Sequence, residues 1–287
     1  MTMKKLAPFI VLAFIAGVAI AAYNQPQLDF ALEVSRGNVS GTSSITKFGR
    51  STNVDSSEAT DLWDRANATN DQAIWLAPTA ARKHDIVSGA TVDHSTGVGA
   101  RTMKVFGLPD WDTAEVNETI ILAGTSAMTT SNSYVIIHRM LVVSSGASGP
   151  NVGLLTATAA SDGTITAQVN IPTAAIPTGQ THMAVYGIPS SQSGYFCNFW
   201  IALNSATPSA TSADITFLIN PFPDDQPDVW LSKHTTSLQT VGTSTHDHAY
   251  CLYKKVTGPA IVKLQVPNVS SNDSDFSGGF DAFVIDN

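Results

Sequence analysis

The stretch FSGGFDAFVIDN, Phe276–Asn287, closes the chain. Residues Phe280 to Ile285 alternate as a strand does. An unpaired strand would leave a row of open backbone donors and acceptors. The reading therefore places this segment inside a sheet, as part of the core.

Working back from it, strand-like runs recur at intervals of roughly 8–16 residues. They are HMAVYGIP, GYFCNFWIAL, ADITFLI, DVWLSKHT, HAYCLYKKV, AIVKLQVP and GGFDAFVID, all within residues 177–287. Short strands at this spacing point to a β-sandwich or jelly roll. A second series lies within residues 86–176: TMKVFGL, NETIILAG, SYVIIHRMLVVSS, and two strands about Ser161-Asp162-Gly163, a tight-hairpin turn. The run PTAAIPTGQ, near 172–180, reads as a domain joint.

The predicted fold class is thus all-β, with two β-sandwich or jelly-roll-like domains (86–176 and 177–287). An extended arm (31–85) precedes them, with short strands at Ala31–Val34 and Ser44–Phe48. Trp63 and Trp75 are read as half-buried anchors pinning that arm to a sheet. Short helices are expected only near Glu58–Arg65 or Thr79–Arg82. Residues 1–30 carry Lys4 and Lys5, then an apolar helix from Leu6 to Tyr23. Three readings stay open for it: a cleaved secretory signal ending near Ala22, a membrane anchor through residues 5–23, or an arm buried in an assembly.

Of the 287 residues only 13% are charged, and the formal net charge is −8. That is below the usual quarter, and hydroxyl and amide side chains take the place of charge. The balance suits extracellular or particle-forming β proteins. With no basic stripe, direct nucleic-acid binding is not expected. Two cysteines, Cys197 and Cys251, make no disulfide scaffold and read as small buried hydrophobes, with a single bridge left open.

Nucleophile elbows, Walker loops, HExxH, CxxC pairs and Rossmann glycines do not occur. The most chemical stretch is STHDHAY. In a strand, His246 and His248 share a face and suit a metal ion. Two ligands are not a site, so a third would come from His234 or an Asp of PFPDDQPD. Asp224 and Asp225 there are candidate calcium oxygens. The alternatives are a solvated strand start and a charged turn. On this reading no metal centre, cofactor or catalytic residue is assigned.

Four stretches in order carry a family resemblance. LEVSRGNVSGTSSITKFGR holds a Gly37-Asn38 pair and a Lys47-Phe48-Gly49 turn. TMKVFGLPDWDTAEVNETIILAGTSAMTTSNSYVIIHRMLV, QTHMAVYGIPSSQSGYFCNFWIAL and SSNDSDFSGGFDAFVIDN follow. Over residues 31–287 the chain resembles tailed-phage virion structural proteins of marine and environmental phages, which close on a strand of the GFDxxxVDN type. The apolar segment departs from that group. The resemblance implies a non-enzymatic particle component, located in the virion as a capsid-associated, decoration or appendage subunit. Its partners would be copies of itself, as a closed oligomer such as a trimer, and other virion proteins. The alternative is a secreted or membrane-anchored cell-surface module, reading carbohydrate through loop Asp residues and Trp111, Trp200 or Trp230. A secreted hydrolase has only the His-Asp-His stretch behind it.

Overall fold

The computed structural model describes residues 29–56, 59–63, 73–172, 178–205 and 210–287. The apolar segment of residues 1–28 lies outside them. The chain divides at Ser40/Gly41 into two units.

Of the first unit, residues 29–40 are described. They hold the helix α1 (Phe30–Ser35), where a strand is expected at Ala31–Val34. The reason is local. Asp29 caps the N-terminus by accepting from Ala31 N. At the other end Gly37, at φ +75°, and Asn38 donate back to the carbonyls of Val34 and Glu33. Asp29 before the helix and Gly37 after it thus form a local start and stop signal.

Residues 41–287 form one compact β unit. Its first layer is an antiparallel sheet of β1 (Thr42–Val54), β16 (Ser274–Asp286), β11 (Gln192–Ser205) and β14 (Thr243–Thr257), in that spatial order. The closing strand β16 is hydrogen-bonded on both sides, to β1 and β11, as its sequence requires. The pair Gly278-Gly279 has a steric purpose. A Cβ on Gly279 would stand 2.2 Å from the Lys47 carbonyl oxygen, and one on Gly49 would stand 2.1 Å from that of Leu62. Lys47-Phe48-Gly49 is not the turn implied by the resemblance. It lies in mid-strand, opposite Phe280, Gly279 and Gly278.

The second layer runs β10 (Val185–Ile188), β15 (Ala260–Val269), β12 (Thr211–Asn220), β13 (Leu231–Thr240), with β2 (Thr60–Asp61) also paired to β15. Between the layers lies an apolar core of Phe196, Phe199, Phe217, Phe276, Phe280 and aliphatic neighbours. Two sheets facing one core make a β-sandwich.

Part of the second layer, β10 and β15, is buried on its other face as well. Along β10 and β15, Tyr186, Ile188, Ala260, Val262 and Leu264 face the first core, while Val185 and Ile261 join a second. That second core is completed by two sheets. One contains β6 (Met128–Thr129), β3 (His84–Ser88), β8 (Leu155–Ala159) and β9 (Ile165–Val169). The other contains β5 (Val116–Ile121), β4 (Ala100–Leu108) and β7 (Ile136–Ser145). The hairpin about Ser161-Asp162-Gly163 forms as expected, with Ser161 and Gly163 at positive φ. Trp63 and Trp75 are fully buried in the second core rather than half-buried, and Trp75 Nε1 donates to the Thr166 carbonyl at 2.8 Å. No helix forms over Thr79–Arg82, where Arg82 instead bridges to Tyr134. Of the other expected helix, Thr60–Asp61 is a strand, while Glu58, Asp64 and Arg65 lie outside the described residues.

Candidate functional site

Strands β13 and β14 are joined across Val241-Gly242, yet each pairs with a different sheet, β13 with β12 and β14 with β11. They form the edge at which the sandwich passes from one layer to the other. Period-2 alternation puts His246, His248 and Tyr250 on one face of β14, with Asp247 on its exposed opposite face. His248 lies opposite Phe199 in the ladder and His246 opposite Ile201. On β13, His234 lies opposite Phe217. All three histidines thus stand beside inward-facing core residues.

The rings of His234 and His248 are 4.3 Å apart, and those of His246 and His248 are 6.1 Å apart. Phe199 lies 5.0–5.9 Å from all three. One ring nitrogen from each histidine falls within 4.8 Å of the others. His246 Nε2 and the Tyr250 hydroxyl are both shut off from solvent without a hydrogen-bond partner. Burial lowers the His234 pKa, and His248, His246 and Lys254 add to the effect by repulsion. Burial also pushes the Tyr250 phenol up to about 12.

This is the one group of three or more potential metal ligands among the described residues. It joins His246 and His248 to the third histidine that the sequence put forward. Along this stretch the strand alternates exposed and half-buried side chains, with the two histidines on the half-buried face. Asp224 and Asp225 do not belong to the group and sit in an exposed loop after β12. Of the tryptophans considered for sugar stacking, Trp111 is buried in the second core, Trp200 is half-buried, and Trp230 lies beneath the Lys263 ammonium at 4.0 Å.

A second feature lies further along β14. Asn198 pairs with Ala249 and Phe196 with Lys254, so Tyr250–Tyr253 stand opposite Cys197 alone and Cys251–Tyr253 bulge outward. The bulge leaves Leu252 85% and Tyr253 55% exposed. It also exposes Cys251, which was expected to be buried. Both cysteines are free thiols, with Cys197 half-buried.

A third feature, which the sequence did not reveal, joins two buried side chains, Lys47 and His138, to the more exposed Glu115. Lys47 Nζ donates to the His138 carbonyl, and His138 Nε2 meets Glu115 Oε2 at 2.5 Å. Burial lowers Lys47 to about 7, with Glu115 opposing the shift and Arg139 adding to it. Between pH 7 and the ordinary lysine value of 10.5, the unfolded chain holds a proton that the folded chain has released. Unfolding then takes up a proton, so stability rises with pH across this window. The slope from this group is at most about 1.4 kcal/mol per pH unit. Urea midpoints measured from pH 7 to 10 should climb in the wild type and flatten in Lys47→Met. A rise of equal size in the variant would assign the effect elsewhere.

No protein-family profile matches the chain, and no curated protein matches it. Among solved structures, the chain is similar to that of infectious bursal disease virus, Gx strain. Identity is 10% over 86% of this chain and 71% of that one, with a TM-score of 0.22. T=1 particles derived from infectious bursal virus give 9% identity over 86% of this chain and 70% of that one, with a TM-score of 0.20. Likenesses this slight decide nothing about function. Among the described residues no helix is long and apolar enough to cross a membrane.

Proposed function

We propose that this chain is a non-enzymatic structural subunit of a tailed-phage-like virion, acting by contact with copies of itself and with other virion proteins. The observation that carries this reading is the β14 bulge. It sets Leu252 and Tyr253 as an apolar knob on an edge strand of a sheet, beside open backbone donors and acceptors. Edge strands of soluble proteins are ordinarily blunted by charge or proline. Between Thr243 and Tyr253 the only charged side chain is Asp247, and Lys254 and Lys255 follow on the same strand. A large aromatic and a leucine held out by a rigid sheet suit the centre of a subunit interface. The run of motifs from Leu32 to Asn287 supports the same reading, as does the all-β sandwich architecture. The proposed jelly-roll character and the capsid-associated, decoration or appendage position are finer parts of this proposal.

Sedimentation of the purified chain tests it. The wild type is expected as a closed oligomer. Leu252→Asp with Tyr253→Asp should weaken association at least tenfold, about 1.4 kcal/mol, with circular dichroism and thermal midpoint unchanged. A wild-type chain that stays monomeric at high concentration would defeat the proposal, as would a double variant that assembles normally.

A further inference from the structure

We propose that His234, His246 and His248 bind a first-row transition-metal ion of the zinc class, tying together the edge strands of the two facing sheets. Three observations carry this. The donor atoms already converge to within 4.8 Å. Donors around a shared zinc lie roughly 3.3 Å apart, given Zn–N bonds of about 2.0–2.1 Å, so modest ring rotations close the set. The donors come from both layers, His234 from β13 and the other two from β14. Finally, His246 Nε2 is buried without a hydrogen-bond partner, and such a nitrogen is costly unless something occupies its lone pair or takes its proton.

The donor chemistry selects the ion. Neutral imidazoles suit zinc, copper, nickel or cobalt, whereas calcium and magnesium need oxygen ligands. Asp247 points to the opposite, exposed face of β14. Three histidines leave a fourth position for water or the Tyr250 hydroxyl. The Tyr250 ring stands 4.8 Å from that of His248 and 6.1 Å from that of His234. A metal here would be a staple. Of the ten residues of β13, Leu238 alone is fully buried, so this strand contributes little apolar area to hold its edge.

The full-length chain, stripped with chelator, would be titrated with Zn2+ alone by calorimetry and followed by thermal unfolding. The expected result is one ion per chain at micromolar affinity or better, a raised thermal midpoint, and no response to Ca2+. His234→Ala, His246→Ala and His248→Ala should each weaken binding at least about tenfold. Asp224→Asn with Asp225→Asn should leave it unchanged. Should a β14 variant fail to fold, His234→Gln on the exposed β13 edge carries the test. Cobalt in place of zinc should give the visible absorption of a four- or five-coordinate nitrogen site, lost in His234→Gln. No saturable zinc binding would overturn the proposal. So would binding that survives loss of all three histidines, or zinc that enlarges the oligomer without raising the thermal midpoint.

Discussion

Lys263→Met is expected to destabilise the protein by about 3–5 kcal/mol. Lys263 and Asp61 form an ion pair at 2.7 Å with side chains 1% and 0% exposed. Asp61 Oδ2 also accepts from Trp75 N at 2.8 Å, and Oδ1 accepts from Gln265 Nε2 at 2.9 Å. Burial pushes the Asp61 carboxyl up, and Lys263, Trp75 N–H and Gln265 oppose that shift. Removing the ammonium leaves a carboxylate in the interior without its main counter-charge. It also strips Trp230 of the cation over its ring. Methionine is an unbranched side chain of similar length, so lost volume is a minor part of the effect. Asp61→Asn combined with Lys263→Met should recover more than half of the loss, because the amide still accepts from Trp75 N and needs no counter-ion. Urea unfolding of the four members of this cycle measures the coupling directly. A single variant within 1 kcal/mol of wild type would mean that water reaches the pair.

Phe217→Ala should cost a similar amount, about 3–5 kcal/mol. Phe217 lies on β12, hydrogen-bonded between β13 and β15, with its ring at the centre of the sandwich. It meets Phe196 at 5.0 Å and Phe280 at 5.6 Å, both edge-on, and stacks on Phe199 at 6.4 Å. Those partners belong to the opposite layer, so truncation opens a cavity between two rigid sheets that cannot close over it. Phe222→Ala, at a half-exposed loop position, should change stability by no more than about 0.5 kcal/mol. Equal small losses at both positions would show that the layers repack freely.

The all-β class and most strands were legible in the chain because alternation is local. GGFDAFVID, ADITFLI and GYFCNFWIAL each show one face that must be covered, whatever covers it. The pairing of His246 with His248 follows from the same period of two. His234 is a candidate only as a histidine of the preceding strand, and no spacing rule links it to the other two. The helix at Phe30–Ser35 is equally local, since Asp29 caps its start and Gly37 turns the chain at its end.

Near neighbours along the chain fix most of the strands, the inward faces of most of them and the hairpin at Ser161–Gly163. Which strands pair, and what the polar faces meet, depends on contacts between residues far apart in the chain. AIVKLQV looks like a strand with Lys263 and Gln265 toward water. Yet those residues lie against Asp61, about 200 positions earlier, because a further apolar core covers that face. Lys47 on His138, and His234 across from His246 and His248, are of the same kind. Burial and charge pairing are properties of surfaces brought together. A strand carries no local record of the layer that will be laid over it.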